Sequence, residues 1–360
     1  MTKLGGLAAA LALAACNDAV RVEWRYAIGA ASVSTPLVTS DFIAFGSEVG
    51  LVVVDHDGSK RCDFAAAGEV VAAPKTDGTL IYFGSTNYVF YAVDASCREA
   101  WKFATGDRIK SDALVADGRV FVSSYDGHVY ALAGPSGKLL WRFPDAALEP
   151  AAPSTEAQEQ TALVGDFSYS SPALDDAVLY VGNLDHHLYA LDARTGSLLW
   201  RFRTGGPITS SPLVRDGVAY FGSNDGKVYA LEVSRQELLW QAATGDWVNS
   251  SPVADDETVY VGSNDRHLYA IDRRSGETRH RAALEGPAIA RPVIYENLLI
   301  TAGGSGDGAV YFLSRADGSL FAKVETGGKI ESDPVLVANR VFVTSADGYL
   351  YALRIARTTR

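Results

Sequence analysis

The chain has 360 residues, of which 48% are hydrophobic and 21% are charged, as in ordinary soluble globular proteins. Its 43 acidic residues outnumber 32 basic ones and give a net charge of −11. A nucleic-acid partner is therefore not expected, because phosphate binding needs a basic stripe on the protein surface. The length alone would allow two domains. The internal repeat described below predicts one.

The N-terminal segment resembles a bacterial lipoprotein signal. Lys3 precedes an Ala-rich apolar stretch from Leu4 to Ala14, which is too short to span a bilayer. Small residues lie just before Cys16, as in a lipobox, which implies cleavage after residue 15, a lipid on Cys16 and a short tether over residues 16–19. An ordinary secretory signal with an incidental cysteine is the alternative. Asn17 after the cysteine resembles the signal for sorting to the outer membrane.

One motif recurs eight times between Ser34 and Leu353. Its cleanest copy starts at Ser210 and reads SSPLVRDGVAYFGSNDGKVYALEVSRQELLW. The copies are about 40 residues apart, with one longer interval, and short apolar runs alternate with Asp-Gly and Thr-Gly turns. This pattern predicts an all-β protein, an eight-bladed β-propeller of four-stranded antiparallel blades. The anchor position of the copies is occupied by Pro36, Pro74, Ala113, Pro172, Pro212, Pro252, Pro292 and Pro334.

The longer interval and the ring closure define the domain. Residues 144–164 form an insertion between blades 3 and 4, and its Pro, Ala, Glu, Gln and Ser content predicts either a connector or a partner-binding loop. The last copy lacks a fourth strand, and Val22–Tyr26 matches the missing sequence. The N-terminal strand is therefore expected to complete the last blade and close the ring. The propeller is assigned to residues 20–354, followed by a tail over residues 355–360.

The segment from Ala190 to Trp200 resembles the tryptophan-docking motif of quinoprotein propellers, in which an indole packs on the neighbouring blade. The equivalent position is Cys62 in blade 1, His280 in blade 6 and Ala322 in blade 7. We expect docking to be lost and the junction to be looser at these three places. The resemblance implies a docking role for Trp24, Trp101, Trp141, Trp200 and Trp240.

The repeat resembles the PQQ-like propeller repeat, and its combination with a lipobox and this length resembles the BamB family of accessory lipoproteins. This resemblance implies a non-catalytic scaffold, anchored in the outer membrane and facing the periplasm. Its implied partner is the complex that inserts barrel proteins into that membrane. The repeat is specific for the fold and weak for the function, because unrelated activities share it.

A redox or sensory propeller that binds PQQ with Ca²⁺, or another small ligand, is the alternative. Quinoprotein alcohol dehydrogenases have a disulfide between adjacent cysteines over the quinone. This chain has no Cys-Cys pair and no c-type haem motif, and it is much shorter than those enzymes. We therefore expect no cofactor and no catalytic activity.

Charged residues lie just before several anchor positions, where the propeller channel should open. They form either a site for a small polar ligand or cation, or ion pairs in a wet channel. His128, His187 and His267 occupy one repeat position on separate blades, so we expect no metal site. The candidate channel-mouth residues are Lys110, Asp112, Arg291, Glu331 and Asp333.

Two cysteines remain after Cys16. Cys62 and Cys97 fall on the outer halves of adjacent blades, and export would expose them to an oxidising compartment. A disulfide and two buried thiols are both compatible with this position. Strand direction also divides the connections into two faces. The D-to-A and B-to-C loops share one face, which carries most of the sequence variation and is expected to carry the function.

Overall fold

A computed structural model describes residues 19–144, 167 and 169–356 of the chain. In these ranges the chain forms eight sheets of four antiparallel strands, as predicted for an eight-bladed propeller. Cys16 and most of the 144–164 insertion lie outside the described residues. No helix capable of crossing a bilayer occurs in these ranges.

Each blade contains four strands, A to D, from the channel outward. In chain order the strands of blades 1 to 4 are β2 (Leu37–Val38), β3 (Ile43–Ser47), β4 (Gly50–Val54), β5 (Lys60–Ala65); β6 (Lys75–Thr76), β7 (Ile81–Gly84), β8 (Val89–Val93), β9 (Glu99–Ala104); β10 (Leu114–Ala116), β11 (Arg119–Ser123), β12 (Val129–Ala133), β13 (Leu139–Phe143); and β14 (Ala173–Asp175), β15 (Val178–Gly182), β16 (His187–Asp192), β17 (Leu198–Arg203).

Blades 5 to 8 repeat this arrangement. Their strands are β18 (Leu213–Arg215), β19 (Val218–Ser223), β20 (Lys227–Glu232), β21 (Glu237–Ala243); β22 (Val253–Ala254), β23 (Thr258–Ser263), β24 (His267–Asp272), β25 (Thr278–Ala283); β26 (Val293–Tyr295), β27 (Leu298–Ala302), β28 (Ala309–Ser314), β29 (Leu320–Glu325); and β30 (Val335–Val337), β31 (Arg340–Ser345), β32 (Tyr349–Ile355), β1 (Val20–Ala27).

The position of a strand within its blade explains its sequence. The B and C strands are sandwiched between two neighbouring blades, so they are apolar on both faces, and β3 is buried at all five positions. The outer D strands have one face in solvent, so buried and exposed residues alternate along them, as in the second half of β21. Clusters of buried side chains fill the space between adjacent blades; one joins Phe45 of blade 1 to Phe342 of blade 8.

The N-terminal strand completes blade 8, as predicted. β1 pairs with β32 from Val20↔Ile355 to Ala27↔Tyr349. Glu23 on β1 accepts hydrogen bonds from Arg340 (2.7 and 3.0 Å) and from Arg354. These guanidinium bonds lower the pKa of Glu23 to about 2, so the ion pairs persist in mild acid. Ile355 belongs to β32, one residue beyond the predicted end of the domain.

Candidate functional site

Three tryptophans dock on the next blade through the same pair of contacts. The Trp141 indole lies on Gly196, where an added Cβ would be 2.6 Å from the ring. Its Nε1–H donates to the carbonyl of Ala193 at 3.1 Å. A side chain at Gly196 would therefore displace the indole. Matching bonds run from Trp101 to Gly134 (2.8 Å) and from Trp240 to Arg273 (3.0 Å).

The other two predicted docking residues lie at the same strand position with weaker contacts. Trp24 faces Gly58, with 3.2 Å from an added Cβ to the ring. Within the described ranges its buried Nε1–H has no acceptor. Trp200 packs on Tyr180 of its own blade, at 5.8 Å between ring centroids. Gln236, with φ 61°, occupies the glycine position of the next blade.

At blade 1 a disulfide takes the place of the docked indole. Cys62 pairs with Val53 just after the bulge of its D strand, as the docking tryptophans pair with an alanine just after theirs. A bond joins it to Cys97 of blade 2. Cys97 has φ 60° and occupies the position of the docking glycine in a turn that is one residue shorter. The junction between blades 1 and 2 is thus covalent at the place where other junctions have an indole on a glycine.

His280 and Ala322 also have replacement contacts. The Nε2 of His280 bonds to the carbonyl of Arg315 at 3.1 Å, the acceptor position that the docking tryptophans use. Ala322 is buried in a cluster with Val20 of β1 and Ile355 of β32. Other contacts therefore take the place of a docked indole at these junctions, and their looser packing stays a prediction.

A second repeated link between blades has no counterpart in the sequence prediction. The Asp126 carboxylate accepts hydrogen bonds from the Tyr130 hydroxyl and from the Gly106 N–H of the preceding blade, both at 2.6 Å. Burial, together with this bond, raises the pKa of Tyr130. The recurring strand-C tyrosine therefore anchors an interblade link besides packing in the core. Equivalent bonds are made by Asp225, Asp265, Asp307 and Asp347.

At the channel mouth, a belt of hydrogen bonds runs from blade to blade. The N–H of the residue before an anchor position donates to the side-chain oxygen at the same position of the next blade. One example is Ser171 to Ser211 at 2.9 Å. The belt is interrupted between blades 1 and 2 and between blades 6 and 7, because Ala73 and Arg291 have no side-chain oxygen to accept the bond from the preceding blade. Its other bonds join Ala73 to Asp112, Asp112 to Ser171, Ser211 to Ser251, Arg291 to Asp333 and Asp333 to Thr35.

The five candidate mouth residues all line one cavity of about 550 Å³. Two of the carboxylates form ion pairs, Asp112 with Lys75 at 3.0 Å and Glu331 with Lys329 at 2.7 Å. Lys110 lies over the Tyr125 ring, 5.6 Å from its centroid. These two carboxylates therefore have partners within the protein. Asp112 and Asp333 also accept hydrogen bonds of the belt.

The Asp333 carboxyl titrates with a pKa above its ordinary range. Burial in the channel wall, and then the negative charge of Asp112, raise the pKa of Asp333 to about 6, although the N–H bond from Arg291 opposes the rise. The channel therefore gains negative charge as the pH increases through 6. A cation or a cationic side chain entering the mouth would favour the ionised form.

The face formed by the D-to-A and B-to-C loops carries exposed apolar side chains around this mouth. They lie on four blades. Three of the four side chains are more than half exposed to solvent. Elsewhere most exposed large apolar residues lie on the outer D strands, for example Leu199 and Leu239. The four loop residues are Val49 (66% exposed), Tyr88 (47%), Tyr169 (52%) and Trp247 (52%).

A second, larger cavity lies on the opposite face of the ring. A groove of about 1740 Å³ crosses blades 6, 7 and 8 on the side of the A-to-B and C-to-D turns. It lies beside β32, which is not followed by a hairpin because the outer strand of blade 8 comes from the start of the chain. Its lining combines apolar side chains such as Phe321 and Ile355 with five carboxylates and the guanidinium groups of Arg279 and Arg315.

PQQ carries three carboxylates, so its site needs cationic side chains that are not neutralised within the protein. At the channel mouth Lys75, Lys110 and Arg291 are accompanied by Asp112, Glu331 and Asp333, and Lys75 is paired with Asp112. The equal number of acidic side chains argues against a PQQ site. The disulfide lies on the outer edge of blades 1 and 2, far from the position of the adjacent-cysteine disulfide over a bound quinone. Across the described parts of the chain, no three His, Cys, Asp or Glu side chains are arranged to hold a metal ion.

Solved structures share the fold. The BamB structure from Moraxella catarrhalis has a TM-score of 0.76 and 19% identity, covering 93% of this chain and 99% of that chain. A quinohemoprotein alcohol dehydrogenase from Comamonas testosteroni has a TM-score of 0.77 and 13% identity, covering 96% of this chain and 78% of that one. Identities this low show the propeller fold and do not choose between the two functions.

Two curated relatives are enzymes that match over a short segment. The quinohemoprotein alcohol dehydrogenase ADH IIB of Pseudomonas putida is 34% identical over 102 residues. The 1-butanol dehydrogenase (cytochrome c) of Thauera butanivorans is 30% identical over 96 residues. These segments cover 28% and 27% of this chain and 13% of each enzyme. The matched length corresponds to fewer than three blades. A match of this size reflects the repeat that BamB and the quinohemoprotein dehydrogenases have in common.

A family model covers much more of the chain. It matches residues 50–170, 158–290 and 236–320, so the matches run through blades 1 to 7. The model describes the outer membrane protein assembly factor BamB. Together with the eight-bladed ring closed by its N-terminal strand, this match shows that the chain belongs to the BamB family of PQQ-like repeat propellers.

Proposed function

We propose that this protein is a non-catalytic scaffold of the bacterial cell envelope, with its partners bound on the loop face around the channel mouth. In this proposal a lipid on Cys16 holds it at the outer membrane, facing the periplasm. Its partner is a periplasmic part of the complex that inserts barrel proteins into that membrane. The family match supports this role.

The exposed side chains of Val49, Tyr88, Tyr169 and Trp247 carry the proposal. Isolated exposed apolar residues are common, but aromatic ones are enriched at the centres of protein interfaces. Tyr88 and Trp247 lie on loop tips of blades 2 and 6, and a rigid ring fixes both. The surface is thus preorganised, which limits the entropy lost on binding.

A small-ligand or redox role is the second candidate, because both curated relatives are dehydrogenases. The polar channel mouth is where such a ligand would bind. The carboxylates of Asp112 and Glu331 already pair with lysines there, which favours a structural role for the charges. Purified protein mixed with PQQ and Ca²⁺ should retain no quinone absorbance after desalting; retained quinone would favour the second candidate.

A pull-down from solubilised envelope, with the lipid-modified protein as bait, tests the scaffold role. The wild-type chain should recover components of the barrel-insertion complex, and Tyr88→Ser with Trp247→Ser should recover several-fold less. Leu199→Ser with Leu239→Ser is the matched control, because it removes equally exposed apolar side chains from the outer strands. Equal recovery by the two double variants would place the interface elsewhere, and recovery of a cytochrome would favour the redox role.

A further inference from the structure

The two ends of the propeller chain meet at one point on the ring. The N–H of Ala356 donates to the carbonyl of Ala19 at 2.8 Å, and the adjacent Val20 is buried against Ala322 of blade 7. Strand β1 is the D strand of blade 8, so it starts on the side of the C-to-D turns. Ala19 is therefore fixed on the face opposite to the channel mouth.

A lipid on Cys16 could not reach the other face. Two residues separate Cys16 from Ala19, and the three Cα steps between them span at most about 11 Å. Strand β1 has eight residues and extends for about 26 Å toward the mouth face. The anchor, which is part of the function proposed above, therefore has to enter the membrane next to the turns of blades 7 and 8.

Apolar side chains surround this exit point. Leu320 on the D strand of blade 7 is 58% exposed, compared with 38–43% for Leu139, Leu198 and Leu238 at the same strand position. Its neighbour Phe321 lines the groove across blades 6 to 8. On blade 8, Val337 is also exposed, and it adjoins Ala338 in the groove wall. These three exposed side chains all lie on the side of the A-to-B and C-to-D turns of blades 7 and 8.

Acidic residues limit which lipids this edge can contact. Asp256, Glu257 and Glu296 line the part of the groove that belongs to blades 6 and 7. Asp256 and Glu257 are paired with arginines, and the groove wall as a whole keeps an excess of carboxylates. An anionic lipid surface would be repelled, whereas a zwitterionic one would not.

We propose that the turns of blades 7 and 8 lie against a zwitterionic phospholipid surface, with Leu320, Phe321 and Val337 in contact with lipid. The lipid anchor and these apolar side chains then provide two kinds of attachment to the membrane. In this orientation the channel mouth and its apolar loop residues point away from the membrane and remain open to periplasmic partners.

Fluorescence quenching by nitroxide-labelled lipids tests the orientation. The lipidated protein is bound to phosphatidylcholine vesicles that carry a headgroup nitroxide. A fluorophore is attached at Val337→Cys, and in a second variant at Val49→Cys on the mouth face; both positions are exposed valines. Cys62 and Cys97 are bonded to each other, so the introduced thiol is the labelling site. The label at residue 337 should be quenched several-fold more than the label at residue 49.

Equal quenching, or stronger quenching at residue 49, would overturn the orientation and leave the anchor intact. Failure of the wild-type chain to sediment with vesicles would overturn both the anchor and the orientation. Leu320→Ser with Phe321→Ser should reduce the quenching at residue 337 several-fold, whereas Leu238→Ser with Leu239→Ser on blade 5 should not. Replacing phosphatidylcholine with phosphatidylglycerol should weaken the quenching; an increase would contradict the proposed lipid preference.

Discussion

At the junction of blades 3 and 4 the Trp141 indole rests on Gly196 and donates a hydrogen bond to Ala193. At the junction of blades 1 and 2 the Cys62 and Cys97 sulfurs are bonded at the same two positions. One position on the blade can thus be filled by an indole on a glycine or by a covalent bond. What the ring requires there is a contact between the D strand of one blade and the C-to-D turn of the next.

The largest effect is expected from removing an indole. Trp141→Ala should lower the free energy of unfolding by about 4 kcal/mol, since it leaves a cavity between blades and removes the bond to Ala193. Urea unfolding measures the loss. Trp247→Ala is the control, because Trp247 is exposed and should change stability little. Equal losses for the two variants would show that the docked indole does not stabilise the junction.

The disulfide should contribute somewhat less. Cys62→Ala with Cys97→Gly should cost about 3 kcal/mol, from the loss of a cross-link that closes a 35-residue segment. Cys62→Trp with Cys97→Gly should regain most of this loss, because glycine accepts the positive φ at residue 97 and the indole can dock on it. Its melting temperature should not respond to reductant, unlike that of the wild type.

If the tryptophan variant is no more stable than the alanine variant, the two junctions are not equivalent. That outcome would point to the shorter turn of blade 2 as the reason, since it would hold the glycine out of reach of the indole.

The imidazole at the junction of blades 6 and 7 should contribute less again. His280→Ala should cost about 1.5 kcal/mol, because it removes the bond to the Arg315 carbonyl and some packing on Gly318. His280→Gln keeps a hydrogen-bond donor for the Arg315 carbonyl, so it should lower the free energy of unfolding by less. Urea unfolding of both variants measures the difference. Equal losses would mean that the bond to Arg315 contributes nothing.

The smallest effect concerns the inner end of the junctions and depends on pH. The pKa of Asp333 is raised from 3.8 to about 6, so its contribution to stability is present below pH 3.8 and is lost as the pH rises through 6. Asp333→Asn should therefore raise the free energy of unfolding by about 1 kcal/mol at pH 7.5, allowing for solvent screening in a wet channel. At pH 4 the difference should nearly vanish.

Urea unfolding at the two pH values measures this effect. Ser211→Ala is the control, because it removes an acceptor from the same belt without a titrating group, and its cost should be equal at both values. A gain for Asp333→Asn that is the same at pH 4 and pH 7.5 would contradict the titration of Asp333.

The repeat predicts the blade and the ring because it encodes local features. Apolar runs of strand length and Asp-Gly turns place the strands, and the match of Trp24 to Trp200 predicts the closing strand. The bond between Cys62 and Cys97 does not follow from the sequence, because the turn of blade 2 is one residue short and places Cys97 out of register with the docking glycines. The groove across blades 6 to 8 follows from a missing hairpin, which becomes a cavity only once the ring is closed.

The belt of hydrogen bonds around the channel is interrupted between blades 1 and 2 and between blades 6 and 7. These are also junctions where Cys62 and His280 replace a docking tryptophan. The circle therefore consists of two arcs, blades 2 to 6 and blades 7, 8 and 1. Each arc is a candidate cooperative unit for local opening. The short arc contains both chain ends, so force applied through the tether would reach the long arc through the two junctions that have a disulfide or an imidazole in place of a docked tryptophan.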